Sequence, residues 1–292
     1  MDTVIGLGNA GCNIAEEFAK FSQYKTYKLD VGLRPSPSTY KLERYEKIED
    51  YEKNCPNLGS FFADATDDIL FVLAGGGKVS SVSLAILEQL KPGRKISVLY
   101  IVPDTSFLGK EAKQLNNLTF NVLQEYARSG VLERLYLVDN ERIDKIIPSA
   151  SIRNYYINLN DAIVSSLHMI NVFDHLNSVT DTFEAPPPGA RISTLGFVDP
   201  KKNADKMFFS LDNVSDQVYY YAYNTSRLEE EGNLFAEIIN SLKRKMKPDI
   251  RVSYGIFETD YEEDYVYCLN HTSAIQKKQE KDGGSEDLPT SP

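Results

Sequence analysis

The chain has 292 residues, a hydrophobic fraction of 42% and a formal net charge of -10. That length suits one large domain or two modest ones. The negative balance argues against a nucleic-acid binder, which needs a basic face, and against an anionic membrane surface as partner. No apolar run reaches the length of a transmembrane helix. The start, Met1-Asp2-Thr3-Val4-Ile5, lacks the basic stretch and apolar core of a secretory signal. Three cysteines, Cys12, Cys55 and Cys268, are far apart and odd in number. They suit the cytosol rather than a disulfide framework. His168, His175 and His271 form no ligand cluster with them, so no metal site is expected.

In chain order, Thr3 to Leu7 reads as a short apolar strand and Asn13 to Phe21 as a helix. Thr26 to Val31 reads as a second strand. Leu33 to Asn57 is polar and Pro-containing, a loop with a short helix. Ile69 to Ala74 is a continuous apolar run of the kind found inside a parallel sheet. A helix over Ser80 to Leu90, a strand over Ile96 to Val102, a helix over Lys110 to Arg128 and a strand over Leu135 to Val138 follow. This alternation predicts an α/β fold with a doubly wound parallel sheet, residues 1–153. A long central helix spans Asn154 to Leu176, and the unit of helix plus following loop is residues 154–185. Ala185-Pro186-Pro187-Pro188-Gly189 then breaks regularity.

Beyond it, residues 186–272 read as a smaller α+β domain. It has a strand over Arg191 to Val198, a region rich in Tyr and a helix from about Leu228 to Lys245. Strands over Ile250 to Glu258 and Asp264 to Asn270 follow, joined by an acidic turn. Residues 273–292 are polar and read as a disordered tail.

Two segments carry phosphate-binding chemistry. Gly6-Leu7-Gly8-Asn9-Ala10-Gly11 lies between a strand and a helix, where glycines let backbone N–H groups approach phosphate and the helix N-terminus favours negative charge. Alone it reads as a dinucleotide fingerprint, and Asp30 lies where a ribose-binding carboxylate would sit. Gly75-Gly76-Gly77-Lys78 also follows a buried strand and precedes a helix. Its spacing does not fit a Walker loop. Two such turns in one sheet suggest phosphates held from two sides.

With these and three further segments the sequence resembles the tubulin/FtsZ family. Val4 to Asn13 looks like that family's first nucleotide loop, with Gly8, Asn9, Ala10 and Cys12 along the phosphates and Asn13 in the place of a guanine-contacting Asn. Ala74 to Ser81, with Gly75, Gly76, Gly77, Lys78 and Ser80, occupies the place of its glycine-rich signature loop. Ser106-Phe107-Leu108-Gly109-Lys110 is similar to its F-x-G-[KR] segment beside ribose and phosphates. Val138-Asp139-Asn140-Glu141-Arg142 places Asn140 as another guanine-contacting Asn. Tyr156-Ile157-Asn158-Leu159-Asn160 matches the start of the central helix, where an aromatic ring stacks on guanine and an Asn hydrogen-bonds its edge. Residues i and i+4 share a helical face, so Tyr156 and Asn160 can cover and read one base. An amide supplies both the donor and the acceptor that guanine's edge requires. The resemblance covers roughly residues 1 to 270, and it is strongest in the first 165.

The chain departs from the family in three places. The family continues its three glycines with Thr-Gly-[ST]-Gly, whereas this chain reads Lys78-Val79-Ser80-Ser81; Lys78 can act on phosphate or be a solvated loop residue. The loop after the central helix, where family acids position water on the neighbouring subunit's nucleotide, reads Leu176 to Glu184. Asn177 is kept, Val179 replaces the first Asp, and Asp181 is one place off the second, so hydrolysis is expected to be slow or absent. The second domain is short, although Lys247 to Gly255 and Asp264 to Cys268 resemble the family's terminal hairpin. That size matches divergent phage- or plasmid-borne tubulin-like proteins.

The resemblance implies a cytoplasmic protein that binds GTP or GDP, with Mg2+ a candidate companion ion. It also implies head-to-tail self-association into filaments, with the polar C-terminal tail as a surface for a protein partner. Asn177 and Asp181 are the candidate catalytic residues. Two other readings compete. One is a non-polymerising tubulin-fold structural or binding module, favoured by the altered loops. The other is an NAD-dependent oxidoreductase, which would leave Asn140, Tyr156 and Asn160 unused.

Overall fold

A computed structural model describes residues 1–148, 151–199 and 202–277. Its strands are β1 (Thr3–Leu7), β2 (Lys25–Asp30), β3 (Thr39–Lys41), β4 (Asp68–Ala74), β5 (Lys95–Val102), β6 (Arg134–Asp139), β7 (Thr180–Asp181), β8 (Ile192–Asp199), β9 (Ala204–Met207), β10 (Asp216–Asn224), β11 (Arg251–Thr259) and β12 (Tyr265–Thr272). Its α-helices are α1 (Gly8–Phe18), α2 (Ile48–Lys53), α3 (Ser83–Leu90), α4 (Lys110–Arg128), α5 (Asn140–Asp144), α6 (Tyr155–Phe173), α7 (Thr225–Glu230) and α8 (Leu234–Lys245).

All described strands join one sheet in the order β3-β2-β1-β4-β5-β6-β8-β12-β10-β11-β7, with β9 added on β8. From β3 to β6 every pairing is parallel. The sheet then continues across the Pro tract. β6 pairs in parallel with β8 through Leu135–Ile192 and Tyr136–Ser193, and β12 and β10 add antiparallel. β4 sits in the middle with Ile69 to Leu73 fully buried, as a strand covered by helices on both faces requires.

Burying both faces divides the core. α1 and α6 cover one face, where Ile14, Phe18, Leu159, Ile163, Ile170 and Phe173 meet Val4, Val72, Leu99, Val218 and Leu269. α3 and α4 cover the other face of the parallel half. α8 covers it in the second half, with Leu234, Ile238 and Leu242 against Tyr219, Tyr221 and Tyr223. The Tyr-rich region is therefore β10, a strand whose alternate side chains serve two cores.

Several boundaries differ from the sequence expectations, each for a local reason. α1 begins at Gly8 rather than Asn13, because the glycine segment itself forms the first helical turn. The helix expected from Ser80 opens with a 3-10 turn, Lys78–Val82, and becomes α-helical at Ser83. The helix expected over 228–245 is two helices, α7 and α8, separated around Gly232. The expected terminal hairpin is not one, because β10 lies between β11 and β12 and pairs with both. The acidic turn thus spans a strand instead of closing a pair. Short strands β3, β7 and β9 carry too little periodicity to be read from sequence.

At the C-terminus, Gln276 is buried. Its side-chain oxygen accepts from Asp212 N at 2.7 Å, and its backbone N–H donates to Gln124 Oε1 at 2.6 Å. The chain is therefore anchored beyond Ser273, and residues 278–292 of the expected tail lie outside the described residues.

Candidate nucleotide site

The sheet order reverses between β1 and β4: β2 and β3 extend to one side, β5 and β6 to the other. In an open α/β sheet the crevice beyond the carboxyl ends of the strands at such a reversal is where ligands bind. Both glycine segments leave the sheet there. One opens α1 directly after β1, and the other follows β4.

The first segment is built from backbone. A Cβ at Gly6 would fall on the carbonyl of Gly11, and one at Gly11 on the carbonyl of Val72. These two glycines let β1, α1 and β4 touch. Gly8 is different: its φ is +70° and its missing side chain would face open space. α1 has no side-chain cap and no acidic residue in its first turn. Among the described residues no side-chain acceptor caps its leading N–H groups, the condition for an anion site. Asn9 is exposed, and half-buried Ala10 leans on the α6-side core. Cys12 points inward, its thiol 3.6 Å from the carbonyls of Gly6 and Leu29. Burial pushes its pKa up to about 12. Any contact of Cys12 with a ligand would thus run through its backbone. Asn13 is exposed on α1.

The second segment is tied down by side chains. Gly76 has φ +82° and a Cβ there would come within 2.8 Å of Leu108. Gly77 faces open space. Over Lys78 to Val82 the backbone turns into right-handed 3-10 form. The Ser80 hydroxyl turns back onto the Gly77 carbonyl. Ser81 donates to Ile48 O at 3.1 Å, and Lys78 Nζ donates to Glu46 O at 2.7 Å. These bonds fasten the segment to the start of α2.

Three more elements end at this crevice. After β5, Asp104 accepts from Ser106 N at 2.9 Å and starts a 3-10 turn. Gly109 then caps α4, and Gly109 and Lys110 are exposed. After β6, Asp139 caps α5 by accepting from Glu141 N at 2.9 Å and Arg142 N at 3.4 Å; burial raises its pKa. Asn140 follows, half-buried, and its Oδ1 is enclosed with no hydrogen-bond partner among the described residues. Such an orphan acceptor is costly unless a donor arrives. α6 packs against both α1 and α5. At its first turn Tyr156 is 65% exposed and meets Tyr155 edge-on at 5.1 Å. Asn160, half-buried, lies one turn on along the same face. Asn13, Asn140, Tyr156 and Asn160 thus sit on three neighbouring helices.

Asn177 and Asp181 are elsewhere. They follow the far end of α6, whose 19 residues span roughly 28 Å at about 1.5 Å per residue. Asp181 accepts from Ser178 Oγ and from Phe183 N at 3.2 Å, and β7 pins the loop to β11. Neither residue can reach the crevice of its own chain. Asp30, the ribose candidate of the dinucleotide reading, accepts from Val31 N at 2.7 Å.

Sequence reading missed the floor of the second segment. Tyr100 of β5 and Asn116 of α4 are both fully buried directly beneath Gly75. The available signal was a polar residue at each of two positions where the strand and helix patterns call for apolar ones. Among the described residues no group of three or more His, Cys, Asp or Glu side chains could hold a metal ion, and no helix is long and apolar enough to cross a membrane.

A parallel sheet with paired glycine turns at its reversal is thus joined by a long helix to a mixed second half in one α/β fold. Among solved structures the chain is similar to the GDP-form protofilaments of TubZ from Bacillus thuringiensis serovar israelensis, at 18% identity and TM-score 0.70, covering 93% of this chain and 84% of that one. It is similar also to an FtsZ dimer from M. jannaschii, at 11% identity and TM-score 0.67, covering 92% and 87%. A third is the GDP-bound monomer of CetZ1 from Haloferax volcanii, at 15% identity and TM-score 0.65, covering 94% of each chain. The fold is that of the tubulin/FtsZ superfamily. No protein-family model matches the sequence, and no curated protein does.

Proposed function

We propose that this is a tubulin/FtsZ-like cytoskeletal protein that binds GTP or GDP in the crevice at the sheet reversal and assembles head to tail into filaments. The observation that carries the reading is the pairing of two glycine turns at the reversal with an amide acceptor, Asn140 Oδ1, at the carboxyl end of β6 on the same edge of the sheet and without a partner among the described residues. Gly8 to Cys12 and the first turn of α1 would take phosphates from one side. Gly75 to Gly77, Ser80, Gly109 and Lys110 would take them from the other. Asn13, Asn140 and Asn160 would read the guanine edge, with Tyr156 stacked on the ring. Guanine's N–H groups are the donors that Asn140 lacks.

Asn177 and Asp181 sit at the opposite pole from this crevice, so they could serve only a neighbouring chain's nucleotide. That supports assembly-coupled hydrolysis with a weakened catalytic loop. The TubZ structure named above is a protofilament in GDP form, and the FtsZ structure is a dimer. Both lend support to self-association here.

One observation favours a second reading, a non-polymerising tubulin-fold module. The second segment is closed on itself and on α2 by Ser80, Ser81 and Lys78, as a loop released from phosphate binding would be. Identifying the nucleotide that copurifies with the chain, then adding GTP and following light scattering and electron micrographs, separates the two. Bound guanine nucleotide with filaments supports the first. An empty chain that stays monomeric at high concentration supports the second, and a bound nicotinamide would displace both.

A further inference from the structure

Tyr100 and Asn116 are out of place by the rules that shaped their elements. Tyr100 lies in the middle of β5 among Val98, Leu99 and Ile101, and its ring packs near Phe120 at 5.6 Å between centroids. Asn116 lies on the buried face of α4, between Leu115 and Thr119 and Phe120. Both are fully enclosed. The Tyr100 hydroxyl donates to Asn116 Oδ1. Burial pushes the phenol well above its ordinary pKa, so it is a neutral donor. The Asn116 Nδ2 hydrogens, equally buried, have no acceptor among the described residues. A half-satisfied buried polar pair is worse for stability than two apolar side chains of the same shape. Packing alone therefore gives no reason for it.

Its position does. A Cβ on Gly75 would fall on both Asn116 Oδ1 and the Tyr100 hydroxyl, so the pair occupies the space that any other residue at 75 would need. Gly75 N is held from the strand side, donating to Ile101 O at 3.1 Å. The second glycine turn thus rests on a polar floor supplied by β5 and α4. α4 is also the helix that carries Gly109 and Lys110 at its N-terminus. A rigid link between the two segments sets the distance between them, and that distance decides whether one phosphate chain can touch both.

We propose that Tyr100 and Asn116 are positioning residues for phosphate binding. They fix the height of Gly75 to Gly77 against the N-terminus of α4, with Asn116 Oδ1 and the Tyr100 hydroxyl as the atoms that meet Gly75. The inference rests on the nucleotide reading above and names what shapes its phosphate side.

The test separates phosphate from base. The full chain, its Asn116→Leu variant and its Tyr100→Phe variant are titrated with guanosine and with GDP, and folding is checked by thermal melting. Asn116→Leu is expected to keep guanosine affinity within about twofold of the parent and to lose about tenfold or more for GDP. Tyr100→Phe, which removes one oxygen and leaves the shape, moves the same ratio by about threefold and carries the test if Asn116→Leu does not fold. Equal loss for both ligands, or loss for neither, overturns the positioning role while leaving the nucleotide reading standing. A parent chain that binds neither guanosine nor GDP overturns the nucleotide reading and this inference together.

Discussion

The two glycine turns stand side by side at the sheet reversal and are built in opposite ways. In the first, Gly6 and Gly11 are required by backbone: each Cβ would strike a carbonyl that belongs to the sheet or its first helix. In the second, Gly75 is required by side chains, Asn116 and Tyr100 beneath it, and Gly76 combines a left-handed backbone with the Leu108 side chain against it. Backbone geometry is common to every strand–turn–helix of this type, so the first turn keeps a spacing that any such fold would share. A side-chain floor depends on the particular residues Tyr100, Asn116 and Leu108 that supply it.

The largest effect expected from this contrast is at Gly6. Gly6→Ala places a methyl group on the Gly11 carbonyl, which cannot move without shifting α1 off the sheet. It should cost about 3 kcal/mol, the upper end for overpacking a core, read as a lowered midpoint in chemical denaturation. A midpoint unchanged from the parent would mean that α1 and β1 are not in contact as described. Gly77→Ala, with nothing within 4 Å of the new methyl, is the control and should stay within about 0.5 kcal/mol.

Next in size is Tyr156→Ala, which probes the base side rather than either turn. Stacking of a base on an aromatic ring is worth about 1–3 kcal/mol, so GDP affinity should fall about tenfold. The ring is 65% exposed, so thermal stability should hardly change. Loss of stability without loss of affinity would return Tyr156 to a packing role and move the base pocket away from α6. A smaller effect belongs to Gly76→Ala. It forces a side chain into left-handed backbone at about 1–2 kcal/mol, and Leu108 can swing aside because it is a flexible side chain rather than a carbonyl. Gly76→Ala should therefore destabilise less than Gly6→Ala. The reverse order would overturn the distinction between the turns.

The same distinction explains what was legible in the sequence. Apolar runs such as Ile69 to Leu73 and the strand–helix alternation up to Asp139 announced a parallel sheet, because burial on both faces leaves no alternation to confuse. The first glycine segment was legible for its backbone reason. Tyr219, Tyr221 and Tyr223 were not readable as a strand, because polar-tipped aromatics alternate with Tyr220 and Ala222 that are also buried, so the period of two vanishes. The placing of β10 between β11 and β12 was invisible for another reason: strand order is set by long-range pairing, and sequence neighbours joined by a short turn look like a hairpin whether or not they pair. Within the site, Tyr156 and Asn160 could be paired by helical spacing. Tyr100 and Asn116 could not, since they come from different elements and meet only in the folded core.

Lys78 gives the smallest expected effect and the finest test of the comparison. Its ammonium donates to the Glu46 carbonyl at 2.7 Å, an exposed contact that competes with water and contributes little. If this is also its arrangement with nucleotide bound, Lys78→Ala should leave the affinities for GDP and GTP within about threefold, matching the 0.5 kcal/mol scale of a surface change. A lysine is a flexible point charge, though, and the Glu46 contact is weak enough to be exchanged for a phosphate oxygen. That exchange would have a signature the resting arrangement lacks. GTP affinity would drop about tenfold more than GDP affinity in Lys78→Ala, and the difference would shrink as salt is raised. Such a result would mean that the second turn holds phosphate through one side-chain charge, and that it differs from the backbone-built turn in means rather than in whether it binds phosphate.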